Sequence, residues 1–120
     1  MSQHDDRVTL LQMQDFAVEA AAMAHGRSRA DLDSDRMFSL AMQHLIQNIG
    51  EAARRVSMDT RRMCPEIPWT DMAGMRSRIA HGYDDINLDA VWKVLAVELP
   101  PLIAELRRLL ALQPSPIKPL

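Results

Sequence analysis

At 120 residues, with 48% apolar residues and a net charge of −2, the chain can build one hydrophobic core and is too acidic to hold duplex nucleic acid by bulk charge. Four glycines and 4% aromatic residues against nine methionines favour helices over strands. A single cysteine, Cys64, excludes an internal disulfide framework, and no apolar run approaches membrane-spanning length, so the chain is expected to be cytoplasmic with no membrane contact.

The first helix is expected from about Asp6 to Ala24, with Val8, Leu11, Asp15, Val18 and Ala22 on one face and Leu10, Gln14, Ala17 and Ala21 beside them. His25-Gly26 ends it. Residues 26–34 read as a polar connection with room for a helical turn around Leu32. Ser34 is the expected N-cap of a second, longest helix, striped by Phe38, Ala41, Leu45, Ile49, Ala52 and Val56 and running to about Thr60 or Met63. Pro65 and Pro68 stop that helix, and Trp69 is expected to anchor the entry of the next.

The third helix carries the residues with chemistry. Thr70 is its expected cap, Met72, Met75 and Ile79 its buried face, and Gly82 its C′ residue. That arrangement puts Arg76 and His81 in its last two turns, with Tyr83 just beyond. His81 beside the terminal carbonyls would favour its charged form, useful for general acid–base work near neutral pH. Arg76 and His81 are five residues apart, roughly 140° around a regular helix, so they converge only if the arginine wraps, the helix loosens or a second copy completes the site. Taken as residue types alone, an arginine and a histidine at a helix end equally fit a structural role, satisfying carbonyls or a nearby acid such as Glu51. Glu51 in turn could face this helix or pair with Arg55 on its own surface.

Six arginines between positions 51 and 78 (Arg54, Arg55, Arg61, Arg62, Arg76, Arg78) outnumber four acids and form a weak basic patch that two copies could pool to hold a polyanionic backbone. Asn87 is the expected N-cap of the last helix, whose Leu88, Val91, Leu95, Leu99, Leu102, Leu106 and Leu109 keep phase through Pro100-Pro101, where a kink or break is expected. Residues 1–112 read as one domain and 113–120 as a proline-rich flexible tail. No Glu-x-x-His pair, Cys/His metal spacing or glycine-rich phosphate loop is present, so neither a metal nor a cofactor is expected.

Arg76-x4-His81-x-Tyr83 resembles the signature of the HepT-like branch of the HEPN superfamily. Ile49-Gly50-Glu51-Ala52-Ala53, Pro65-Glu66-Ile67-Pro68-Trp69, Gly74-Met75-Arg76, Val91-Trp92 and Leu99-Pro100 resemble further family segments, in family order, and the similarity spans roughly residues 6 to 112. One departure is Ser77, where the family usually has asparagine; serine is shorter and has no amide. The resemblance implies an all-α antiparallel up-and-down bundle of four to five helices, forming a homodimer through faces near the motif. It implies a metal-independent endoribonuclease acting on RNA, the toxin of a HEPN/MNT (type VII) toxin–antitoxin pair. Arg76 and His81 would be catalytic, with Ser77 and Glu51 supporting. An MNT-type nucleotidyltransferase antitoxin would silence it by AMPylation of Tyr83. The alternative is a non-catalytic, nucleotide- or partner-binding subunit of a minimal nucleotidyltransferase complex.

Overall fold

The computed structural model describes residues 6–80, 82 and 85–112. The described chain is all-α: α1 (Asp6–Ala24), α2 (Asp31–Ser34), α3 (Arg36–Arg55), α4 (Met58–Met63), α5 (Trp69–Ala73), α6 (Met75–Ile79), α7 (Leu88–Lys93), a π-helical turn (Val94–Glu98) and α8 (Leu99–Leu112). The long helices α1, α3 and α8 form the bundle, with α1 against both others and the short α5 and α6 laid against α3. The expected tail falls outside the described residues.

The bounds of α1 are as expected, but its buried face is not. Leu10, Met13, Ala17 and Ala20 are fully buried, while Val8, Leu11 and Val18 remain exposed. Helix α1 carries two apolar stripes, and periodicity alone cannot rank them. The expected stripe includes Asp15, whose burial without a partner would cost several kcal/mol, roughly 2–7 for an unpaired polar group and more for a charge. The stripe actually buried has no charged member, and its alanines let α3 approach closely.

The connection before α3 contains the helical turn around Leu32 that the sequence allows, as α2. Gly26 takes a left-handed φ of 76°, which closes α1, and Leu32 of α2 is buried at 2% exposure. The N-cap of α3 is Asp35, not Ser34: the Asp35 carboxylate accepts from the Phe38 amide at 3.1 Å, and Ser34 lies at the end of α2. The stripe from Phe38 to Val56 is buried nearly as read, with Ala41 only half-buried.

The long helix breaks earlier than expected. Val56 turns to extended backbone (φ −75°, ψ 133°), and Ser57 caps a separate α4 through its hydroxyl. Two side chains make this break favourable. Arg61 donates to the carbonyls of Ala53 (3.0 Å) and Val56 (3.1 Å), the usual service of a basic residue at a helix C-terminus. The Asp6 carboxylate accepts from the Ser57 and Thr60 hydroxyls, each at 2.5 Å, tying the start of α1 to the start of α4.

Prolines 100 and 101 do not end the last helix, which runs on as α8. The turn before them widens instead, and the Leu99 amide donates to the Val94 carbonyl five residues back. The π turn absorbs the missing proline N–H groups and gives their rings room. Val91, Leu95, Leu99, Leu102, Leu106 and Leu109 are all buried, so the stripe holds its phase through it. Asn87 caps α7 as expected, accepting from the Ala90 amide at 3.1 Å.

Candidate active site

The motif-bearing segment is held by a close approach between helices. A Cβ on Gly50 would stand 2.8 Å from the Met72 carbonyl oxygen, so a glycine on α3 is what lets the α5–α6 segment lie against it. Trp69 fixes the entry of that segment: it is buried, and its Nε1 donates to the Cys64 carbonyl at 3.0 Å. Met72, Met75 and Ile79 are buried at 1% exposure or less, the apolar face read from the sequence.

The third helix itself differs from expectation. It is two short helices with Gly74 between them, and α5 starts at Trp69 with Pro68 before it, so Thr70 is not the cap. Helix α6 ends at Ile79, and Ala80 is already extended (φ −71°, ψ 142°). Ala80 pairs with Ile86 in an antiparallel bridge, and the Asn87 amide donates to the Ile79 carbonyl at 2.7 Å. Gly82 is therefore not the helix C′ residue; its φ of 69° serves a turn beyond the helix. Helix α6 thus ends two residues before position 81. His81 and Tyr83 themselves lie outside the described residues.

Arg76 and Ser77 are exposed on α6, and Arg76 has no hydrogen bond or ion pair with any described residue. Glu51 is exposed on α3, and its carboxylate forms no ion pair with Arg76 or with Arg55, whose guanidinium donates to the Glu51 backbone carbonyl at 3.3 Å. Arg78 is engaged quite differently. Its two terminal nitrogens donate to the two Glu98 carboxylate oxygens at 2.8 and 2.6 Å, and the side chains are only 28% and 18% exposed. That pairing holds the Glu98 carboxyl below its ordinary range and pushes the Arg78 guanidinium up, against the opposing effect of burial.

The basic patch is largely committed to the protein itself. Arg55 also donates to Gln12, Arg61 caps α3 and lies 5.9 Å from the Trp69 ring centre, Arg62 pairs with Asp59, and Arg78 pairs with Glu98. Arg54 and Arg76 are the members without a described partner.

Among the described residues, one cluster has atoms placed to hold a metal: Cys64, Glu66 and Glu105, within 4.8 Å of one another. Arg108 already stands among them, donating to Glu66 at 3.1 Å, to Glu105 at 3.0 Å and to the Cys64 sulfur at 3.3 Å. Its guanidinium is the resident cation there. A cleft of about 430 Å³ lies beside the connector after the motif, lined by Asp33, Arg36, Ser39, Gln43 and Asp85 among others. Two carboxylates to one arginine give it little attraction for a polyanion.

Reading of the sequence missed Glu98. A signal was present: Glu98 sits in phase with Val91, Leu95 and Leu102, an acid in the apolar stripe of the last helix. Such a residue demands a cationic partner.

The all-α bundle is consistent with the HEPN-like fold that the sequence motifs imply. A family model described as ribonuclease HepT-like matches residues 13–109, and the chain belongs to this family. It is 32% identical over 79 residues to a protein of Thermococcus cleftensis named probable ribonuclease HepT, covering 66% of this chain and 72% of that one. It is 28% identical over 101 residues to a provisionally named RNase of Caldanaerobacter subterraneus subsp. tengcongensis, covering 84% and 88% of the two chains. A similarly named RNase of Methanocaldococcus jannaschii is 26% identical over 105 residues, covering 88% and 96%. No solved structure matches the chain significantly. No helix among the described residues is long and apolar enough to cross a membrane.

Proposed function

We propose that this protein is a metal-independent endoribonuclease, the toxin of a HEPN/MNT pair, working in the cytoplasm as a homodimer whose motif faces lie together. The observation that carries this reading is the division of labour on α6: Arg78 is bound to Glu98, while Arg76, the motif arginine, is exposed and pairs with no described residue. An exposed guanidinium with no acid beside it among the described residues is available to a phosphate.

The chemistry needs nothing beyond this chain and the RNA. His81, as base, takes the proton of a ribose 2′-hydroxyl; the 2′-oxygen attacks the adjacent phosphorus. The P–O5′ bond breaks, leaving a 2′,3′-cyclic phosphate, and the 5′-oxygen leaves with a proton supplied by His81 of either copy. Arg76 holds the phosphate and stabilises the charge that develops on it. Acid–base catalysis of this kind contributes about 10²- to 10⁴-fold. Ser77 adds a hydroxyl beside the phosphate. An MNT-type nucleotidyltransferase would silence the enzyme by moving AMP from ATP to the Tyr83 hydroxyl with release of pyrophosphate. The added anion would occupy Arg76 and repel substrate.

The test is RNA cleavage in EDTA by protein shown by mass spectrometry to be unmodified at Tyr83, beside His81→Ala and Arg76→Ala. Cleavage by the parent that both variants lose supports the reading. Ser77, in place of the family's usual asparagine, favours a second reading, a non-catalytic subunit that binds the nucleotidyltransferase. In that case the unmodified parent leaves RNA intact and His81→Ala loses partner binding.

A further inference from the structure

Helix α6 has five residues, too few to hold itself together, and its N-terminus has no side-chain cap. Its orientation must come from its attachments. Met75 and Ile79 plant one face in the core, and the Ile79 carbonyl receives the Asn87 amide. A further attachment, on the side of the helix that carries Arg78, is its fork-to-fork pair with Glu98 on the π turn, two residues from Arg76 in sequence.

A partly buried ion pair of this kind contributes little net stability, because desolvation offsets most of the attraction. What it does contribute is direction, since a guanidinium and a carboxylate sharing two parallel hydrogen bonds fix both distance and plane. Glu98 is aimed at Arg78 from within an apolar stripe, at the one turn of the last helix that departs from α geometry. π turns are often found where a helix must present a side chain for function.

We propose that Glu98 is a positioning residue of the ribonuclease site: through Arg78 it sets the roll of α6, and so the direction in which Arg76 meets the scissile phosphate. This rests on the ribonuclease reading for its effect on turnover, but not for the geometry it predicts around Arg76. A displacement of about 1 Å at a catalytic group can cost on the order of 10²-fold in rate.

The experiment compares the parent, Glu98→Gln, Glu98→Asp and the exchanged pair Arg78→Glu/Glu98→Arg. Each is measured for RNA cleavage kinetics in EDTA, for thermal unfolding and for the backbone amide resonances of residues 75–79. The expected result for Glu98→Gln is a fall in kcat of about tenfold or more with KM within about twofold, and a displaced Arg76 amide resonance in a protein still folded at the assay temperature. The exchanged pair or Glu98→Asp should recover part of both. Unchanged kcat in Glu98→Gln from an active parent overturns the proposal. So does a loss that tracks unfolding and is rescued by neither compensating variant. Should the parent not cleave RNA, the ribonuclease reading fails by itself, and the amide resonances decide: an Arg76 shift in Glu98→Gln reversed by the exchange supports the positioning role, and no shift overturns it.

Discussion

Gly50 on α3 and Met75 on α6 are so close that a Cβ on the glycine would fall 2.9 Å from the Cβ of the methionine. Alanine in place of Gly50 would gain about 1 kcal/mol in helix propensity. It would also drive a methyl group into the Met72 carbonyl, 2.8 Å away, where the obstacle is backbone and cannot swing aside. Overpacking of this kind costs about 1–3 kcal/mol or more. Gly50→Ala should therefore be destabilised on balance in urea titration, and it should weaken RNA cleavage beyond what the loss of folded protein explains, because the segment that moves carries Arg76.

The two arginines of α6 should separate cleanly by mutation. Arg76→Ala removes an exposed side chain with no described partner and should leave stability within about 0.5 kcal/mol of the parent while abolishing cleavage. Arg78→Ala strands a mostly buried Glu98 carboxylate. Loss of one partner in a fully buried pair costs about 3–5 kcal/mol; with residual exposure of both groups, about 1–3 is expected here. Chemical unfolding curves of the two variants, run in parallel, check this.

Stability should fall in acid through Glu98. Its folded pKa is lowered, first by hydrogen bonds from Arg78, then against desolvation, with Lys93 adding attraction. The groups facing the pair are Lys93 and, on the Arg78 side, Asp71. A carboxyl with a depressed folded pKa stabilises the fold above its unfolded pKa, about 4.3 for glutamate, and that contribution disappears as pH falls through the folded value. Arg78 stays charged throughout. In urea titrations at falling pH, the parent should lose more stability than Glu98→Gln once the pH passes below the unfolded glutamate value.

Cys64 should be inert in the native protein. It has no exposed surface, and burial, with the Glu105 carboxylate second, pushes its thiol up despite Arg108 nearby. Reaction with a thiol reagent near neutral pH should be slow until denaturant is added and then proceed at the rate of an ordinary cysteine.

Trp69→Phe should cost about 1–3 kcal/mol, because it leaves the Cys64 carbonyl without the indole donor and opens a gap where α5 enters. Thermal unfolding followed by circular dichroism measures the loss.

The sequence was most informative where period and chemistry agreed. The stripe of α3, the in-phase leucines of the last helix and the triplet Met72, Met75, Ile79 were all readable, because a burial pattern on one face admits one solution. Helix α1 was not, since it offered two faces and the choice turned on keeping Asp15 in water. The break at Val56-Ser57 was hidden because its stabilisers are distant: Arg61 is a turn downstream, and Asp6 comes from another helix. The prolines announced a disturbance at the right place, but the remedy, a widened turn, depends on tertiary packing that tolerates it. At the site, Arg76 could be placed on its helix from sequence. The consumption of its neighbour Arg78 could not, because the partner is 20 residues away in the chain.

Arg7 on the first turn of α1 donates to the Leu110 carbonyl at 3.1 Å, across 103 residues of chain. The described chain thus begins and finishes side by side, along the packing of α1 on α8, so the bundle is topologically close to a ring. A circular permutant that joins the two ends with a short flexible linker and reopens the chain at Gly26, in the exposed turn after α1, should fold to the same bundle. The motif would then lie nearer the middle of a rearranged sequence with every neighbour it has now.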